Sequence, residues 1–358
     1  MLFTVTISDV AKKAGVYIAT VSNVINQNGK VKKNTEQLVL NAIDELGYIP
    51  NQIAKGLKTS QTNIIGIMAE DINSGFSSGI IDGICEYAEK TGYTISLCNL
   101  RVNRKVKVAD DTDYLEMASS KGFQELVRTN LNLLLTSRIC SLIYLATYPR
   151  DVAKILPKLS IPVVYAYAYH SDQNVCSVNY DDFKGGKAAT EYLISKGHKK
   201  IGLISGSIQS YPTHRRMLGY QTALMEHQLP FVPEYICTGH WFYKDGYEQC
   251  LRLLSLPDPP TAIFAMSDIM AYGAINAAAN KNINVPKDLS VIGFDNLELS
   301  SYCQPPLTTI RLPLQEIGIQ ACTLAISIVE KAPIKDRHLQ LECSLIERNS
   351  VSSPAPAL

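Results

Sequence analysis

From Ile64 onward the chain alternates short β-branched runs with longer amphipathic stretches, and this alternation does most to limit the folds open to it. NIIGIM is followed by IIDGICEYAEKTG and YTISLCNL, then by apolar text around Ser141–Leu145 and by PVVYAY. GGKAATEYLISKG, KKIGLIS, RRMLGYQTALMEHQ, TAIFA, IMAYGAINAAANK, LSVIGFD and LQEIGIQACTLAISIVEK continue the pattern. Strand–helix–strand alternation predicts parallel sheets with helices on both faces. A stretch reaching Arg348 is too long for one such sheet, so two similar lobes are expected. Two segments fall outside the pattern. RVNRKVKVADDTDYLEMASSKG (101–122) is charged and aperiodic and reads as an insertion before the helix FQELVRTNLNLLLTS. The Pro/Ser/Ala-rich tail, 351–358, has no heptads and is expected to be disordered.

The first 60 residues differ in texture: short helices with tight connections. The whole chain carries a net charge of only +1, but seven lysines in this segment face four carboxylates (Asp9, Glu36, Asp44 and Glu45), which leaves the remainder slightly acidic. A basic head on a near-neutral body suits a module that meets phosphates. No run approaches the ~18 apolar residues of a membrane span, and the start lacks a basic region followed by an apolar one, so a cytoplasmic protein is expected. Nine scattered cysteines, odd in number and without a CxxC pair, suggest neither a disulfide framework nor a zinc site. There is no P-loop and no metal-spaced His or Cys cluster, and the six histidines are dispersed. These features predict a non-enzyme without metal or cofactor.

ISDVAKKAGVYIATVSNVIN can be built into a helix-turn-helix from physics alone. Ser8 is an N-cap candidate, and Val10, Ala11 and Ala14 fall at helical spacing. Gly15 sits where a tight turn needs positive φ, and Val16, Val21 and Val24 bring a second helix back onto the first. Tyr17, Ile18, Ala19, Thr20, Ser22 and Asn23 would then face outward on a helix that fits the major groove. An ordinary helical hairpin with a solvated face gives the same pattern, so the pattern alone leaves DNA binding open.

TISDVAKKAG, the following V-x-x-A-TVS-x-VIN, Val31, Lys32 and TEQLVLNAIDELGYIPNQIAKGL together closely resemble the head of the lactose-repressor (LacI/GalR) family of transcriptional regulators. The resemblance implies an all-α helix-turn-helix head over residues 1–50, a hinge over 51–61, and a two-lobed, periplasmic-binding-protein-like α/β core over 62–350. It implies that Thr6, Tyr17, Ile18, Ala19, Thr20, Ser22, Asn23, Asn26, Lys30 and Lys32 meet operator DNA. Asn51, Ala54, Lys55 and Leu57 would join them from the hinge, Leu57 as an apolar wedge in the minor groove. Three residues depart from the family pattern. Tyr17 replaces the usual Ser or Thr cap, Asn23 stands where Arg is frequent and would favour adenine over guanine, and Gly56 lowers the helix propensity of the hinge.

The resemblance continues through IGIMAEDINSGF, SVNYDDFKGGKAATEYLISKGHKKIGLISG, RRMLGY, TAIFAMSDIMAYGAINA, VPKDLSVIGFDN, PPLTTIRLP and LIERNSV. It implies a ligand bound between two doubly wound lobes at the carboxyl ends of their strands, with LTTIRLP crossing between lobes. Phe76, Tyr167, Arg216, Trp241, Ser267 and Asp295 fall where family members contact the effector. Arg216 offers a five-donor fork, against the rival reading of a surface arginine beside Arg215. Asp295 ends an apolar strand; its rival role is a helix cap. Trp241 would stack on a ligand ring or simply be core. Asp268 reads as structural, as does His198. In PVVYAYAYH the alternation places Tyr165, Tyr167 and Tyr169 on one strand face. The expected protein is a homodimeric repressor whose operator affinity is changed by a small sugar-type effector through the hinges. The alternatives are a purine- or other metabolite-responsive regulator, or a sugar receptor without DNA function.

Overall fold

A computed structural model of the chain describes residues 5–25, 31–48, 62–105 and 120–354, and divides into two compact units, Met1–Thr62 and Asn63–Leu358. The first holds α1 (Ile7–Ala14), α2 (Ile18–Ile25) and α3 (Lys33–Leu46). Val10, Ala11, Val21, Val24, Val39 and Ala42 form its buried centre, so the helical spacing read from the sequence is the one that packs. The N-cap of α1 is Thr6 and not Ser8. Thr6 has the extended backbone a cap needs, its Oγ1 accepts from the Asp9 amide at 3.4 Å, and Asp9 Oδ2 accepts from the Thr6 amide at 2.8 Å. Ser8 lies inside the first turn. Only Thr6 has a carboxylate three residues later to complete the reciprocal box. Gly15 ends α1 at φ 67°, the left-handed conformation expected of it.

The second unit is built on two six-stranded sheets. The first runs β11 (His338–Leu341), β5 (Cys176–Tyr180), β4 (Val163–Ala166), β3 (Ser141–Leu145), β1 (Ile64–Ala69), β2 (Thr94–Asn99), all parallel. The second runs β12 (Ser344–Ile346), β10 (Thr308–Arg311), β9 (Ser290–Asp295), β8 (Ala262–Ala265), β6 (Ile201–Ser205), β7 (Ile236–Thr238). It departs from the all-parallel expectation at its edge, where β12 pairs antiparallel with β10. This strand arrives directly from the other sheet without a crossover helix to reverse it.

Helices cover both faces of the first sheet. α4 (Ser77–Thr91) and α12 (Leu314–Val329) bury Ile80, Ile84, Ile317 and Ala321 against Ile65, Ile67, Ile143 and Val178. A Cβ on Gly83 or Gly318 would run into the opposing backbone, so these two helices meet main chain to main chain. On the other face α6 (Lys121–Thr136) packs Phe123, Val127 and Leu131 onto Met68, Leu142, Tyr144 and Tyr165. The chain crosses between sheets three times. β5 leads into α7 (Asp182–Ser195), which packs on the second sheet; β10 leads into α12 on the first; β11 leads into β12. LTTIRLP is thus a strand of the second lobe that delivers the chain to the first.

Three sequence expectations are corrected. Tyr165, Tyr167 and Tyr169 do not share a face. β4 ends at Ala166 and Tyr167 has φ 56°, which breaks the period-two phase. Tyr165 consequently packs beside Tyr144 on the α6 side, Tyr167 among the residues of the opposite side, and Tyr169 against Tyr211. The tail is not free from 351 onward, because the Ser352 carbonyl accepts from Ser290 Oγ at 3.1 Å and its amide donates to the same hydroxyl at 3.1 Å. The insertion is shorter than 101–122: Val102 is buried in α5 (Val102–Lys105), and Ser120 caps α6 through the Phe123 amide at 3.2 Å. Residues 106–119 and 355–358 lie outside the described residues.

Candidate functional site

The outward face of α2 is as the sequence predicts. Tyr17 is 86% exposed and Ile18 49%, Ala19 and Asn23 are exposed, and Thr20 and Ser22 are half-buried above the buried Val21 and Val24. Tyr17 supplies only its carbonyl to the start of the helix, accepting from the amides of Thr20 at 2.9 Å and Val21 at 3.2 Å. Its ring is left free to meet a partner. Lys32 is exposed and precedes α3 without a side-chain cap, while Thr6 is committed to capping α1. Asn26, Lys30, Asn51, Ala54, Lys55, Gly56 and Leu57 lie outside the described residues.

In the core, residues far apart in sequence converge where the carboxyl ends of the strands of both lobes meet. Arg216, on α8 (Tyr211–Glu226), is 3% exposed, which removes the surface-arginine reading. Its Nε donates to Asp182 Oδ1 at 2.7 Å, its Nη2 to the Tyr180 hydroxyl at 2.8 Å, and its Nη1 to the Met266 carbonyl. Asp295 Oδ1 lies 3.8 Å from Nη1. The guanidinium lies 3.6 Å from the centroid of Phe294, 5.6 Å from Trp241 and 5.9 Å from Tyr180. Three hydrogen bonds engage three of the five N–H donors, so the fork keeps capacity toward the cleft.

Phe76, at the start of α4, stacks on Tyr167 with centroids 5.6 Å apart, and Tyr167 stacks on Tyr180 at 5.6 Å. Trp241 lies against Gly206, where an added Cβ would penetrate the indole, so only glycine fits there. Ser267 Oγ caps α10 (Asp268–Asn280) by accepting the Met270 amide at 3.2 Å, which leaves its O–H to donate elsewhere. Asp295 makes no cap: α11 (Leu299–Tyr302) begins after Glu298 without a side-chain cap. Tyr167, Trp241 and Asp295 all have positive φ, at 56°, 73° and 112°. Such backbone persists where surrounding structure holds it and concentrates at ligand sites.

The electrostatics match this enclosure. Burial holds Asp295 well above the usual carboxylate range, with Arg216 pulling the other way. Burial likewise raises Asp182 against the same arginine. Asp268 is pushed up to about 7 by burial, opposed by hydrogen bonds from Thr309 and the Leu297 amide. Those bonds, at 2.5 and 2.7 Å, tie β10 to the loop after β9, the structural role expected of Asp268. The six predicted effector residues thus fall in one neighbourhood of strand ends, four of them (Arg216, Asp295, Trp241 and Tyr167) tied through Arg216 and the Tyr180 ring. Tyr180, Asp182 and Phe294 belong to it as well and were not singled out from sequence. The acidic pair closing VNYDD, at a strand end, was the available signal. Among the described residues Asp182 Oδ2 and Thr213 Oγ1 are buried with no hydrogen-bond partner, two polar atoms a ligand could satisfy.

Residues 6–51 match the bacterial regulatory proteins of the lacI family, and residues 190–351 a periplasmic binding protein-like domain. The chain is 33% identical over 350 residues to the HTH-type transcriptional repressor PurR of Pasteurella multocida (strain Pm70), covering 97% of this chain and 99% of that one. PurR of Haemophilus influenzae (strain PittEE) is 34% identical over 355 residues, with the same coverage. Among solved structures, the lac repressor dimer bound to operator and the anti-inducer ONPF superposes with a TM-score of 0.77 at 27% identity, over 97% of this chain and 99% of that one. The CelR–cellobiose complex gives 0.65 at 26% identity over the same shares. With a DNA-reading head, a two-lobed core and end-to-end similarity to repressors, this ligand-responsive DNA-binding repressor belongs to the lacI family of bacterial regulatory proteins.

Proposed function

We propose that the chain is a cytoplasmic, non-enzymatic repressor that binds operator DNA as a homodimer and whose effector is a purine base. The observation that carries the purine is the similarity to PurR, the purine repressor, at 33–34% identity over nearly the whole of both chains. The lone Trp241 tilts a reading of the sequence toward a sugar, but an indole face stacks equally well on a flat heterocycle. The cluster favours the flat ligand on two further counts. Phe76, Tyr167, Tyr180 and Trp241 are aromatic walls, and the carboxyls of Asp182 and Asp295, which burial biases toward the neutral form, carry both a donor and an acceptor for the ring nitrogens and N–H groups of a heterocycle.

The mechanism follows from residues that span the lobes. Phe76 and Tyr167 stand on the first lobe, Arg216, Trp241 and Asp295 on the second, so a ligand among them favours the closed arrangement. Closure changes operator affinity by no more than the ligand's differential affinity for the two arrangements. Each protomer places its α2 in one half-site about one helical turn from the other. The test uses the full chain and a duplex selected from a random pool. Adenine, guanine or hypoxanthine should raise the melting temperature and change affinity for that duplex, while mono- and disaccharides do neither. A saccharide that does both, with every purine inert, overturns the reading.

A further inference from the structure

On the α6 side of the first sheet, the edge made by β5 and β11 is polar where a parallel sheet is normally apolar. The register pairs Ser177 with His338 and Asn179 with Gln340, so all four side chains share one face. Val178, Leu339 and Leu341 point to the other side and pack in the core. The inner part of this face is nevertheless not solvated: Ser177 is 3% exposed and Asn179 5%, while His338 is half-buried and Gln340, at the rim, is exposed. It lines a cavity of about 230 Å³, walled by Ala168–His170 and Gln173 of the first lobe and by Tyr211 of the second. Tyr169 and Tyr211 meet across the lobes with ring centroids 4.3 Å apart.

Two buried atoms in this cavity have no partner: Asn179 Oδ1 and His338 Nε2. The His338 ring is fixed by its other nitrogen, which shares a 2.8 Å hydrogen bond with Ser177 Oγ. On the far side, His170 Nδ1 accepts from the Asp172 amide at 3.0 Å, and burial lowers the pKa of that imidazole, which keeps it neutral. Among the described residues no Asp, Glu, Lys or Arg lines the cavity. Asp151 and Asp172 act on His170 only from outside it.

We propose that this cavity is a second ligand site, separate from the Arg216 cluster, for an uncharged, single-ring heterocycle bearing an amide or lactam edge. The class follows from the walls. The absence of lining charge selects a neutral ligand, and the tyrosine pair presents flat faces. About 230 Å³ is below the volume of a usual drug-sized pocket, which favours one ring over two. An amide edge carries one N–H and one C=O. It therefore donates its N–H to Asn179 Oδ1 and accepts at its C=O from His338 Nε2–H, the tautomer in which Ser177 Oγ donates to Nδ1. β5 itself divides the two sites, since Tyr180 of the Arg216 cluster and Asn179 point to opposite faces of the strand. The proposal is thus independent of the effector's identity.

The probe is 5-bromouracil, with 5-bromonicotinate as the charged control. In crystals of the full chain soaked with the probe, a bromine anomalous peak is expected between Asn179 and His338, and none with the control. In solution, Asn179→Leu and His338→Phe are each expected to weaken probe binding by about tenfold or more. The thermal unfolding midpoint of both variants should match that of wild type, which certifies their folding whatever the effector is. A bromine peak only elsewhere, no peak at all, or probe binding unchanged in both variants overturns the proposal.

Discussion

The outward face of α2 and the Arg216 cluster are built on opposite principles. The outward face of α2 is local: within eight consecutive residues Ile18, Ala19 and Asn23 are exposed, held up by two buried valines and a glycine turn. The Arg216 cluster is non-local and buried, assembled from segments between Phe76 and Asp295, with three backbones in the left-handed region. A surface that must meet a large, flat, charged partner can be made by one helix. A site that must enclose a small molecule needs many strand ends and some held strain. Perturbation should therefore damage the core cluster through stability and the head through fit.

The strongest test of that contrast is Arg216→Met, which leaves Asp182 and Asp295 without their cation. A loss of about 3–5 kcal/mol in the denaturant unfolding of the core is expected, with the head's helical signal retained. A loss below about 1 kcal/mol would break the comparison, because the cluster would then not depend on its cation. The next effect is a slope with pH. Asp268 titrates at about 7 when folded, and at about 3.9 when unfolded. Between these values the folded chain binds the extra proton, so its contribution to stability is present at acid pH and is lost as pH rises toward 7. Asp268→Asn should match wild type near the acid end and gain on it by up to about 1.4 kcal/mol per pH unit above that. Urea unfolding at several pH values reads this directly, and parallel curves would remove the protonated state.

A smaller effect is expected from Gly206→Ala, whose added methyl enters the Trp241 ring. Overpacking of this kind costs about 1–3 kcal/mol and should weaken effector binding, measured by calorimetry, more than operator binding without effector. The smallest is Thr6→Ala, which removes the cap and its box with Asp9 at a cost of about 1 kcal/mol to the head alone. Hydrogen exchange of the α1 amides would report it. Equal acceleration of exchange in core and head would sink the idea that the two units are stabilised separately.

What could be read beforehand divides along the same line. The head was legible because its determinants sit within a few residues of one another: Val10, Val21, Gly15. Even there the cap moved from Ser8 to Thr6, since a reciprocal partner at Asp9 outweighs residue type. The alternation of strands and helices, and the strand ends that carry Arg216, Trp241 and Asp295, were also legible. The tyrosine run was misread because a positive φ at a non-glycine residue leaves no mark in composition or period. Tyr180 and Asp182 escaped because their importance lies in what Arg216 brings to them from 34 residues away. The antiparallel β12 escaped because an edge strand of three residues has too little pattern to declare a direction.

The three crossings between the sheets are very short: Asp181, Leu312–Pro313 and Glu342–Cys343 are all that separate an element of one lobe from an element of the other. They also lie together, for β5 and β11 are neighbours at one edge and β10 and β12 at the corresponding edge of the second sheet. Three taut straps along one edge act as a door hinge rather than a tether. They leave the lobes one easy rotation, an opening and closing about the strap line, and resist sliding and twisting. A ligand of almost any chemistry that closes the door would then send the same mechanical message, and relatives with different effectors could share one output.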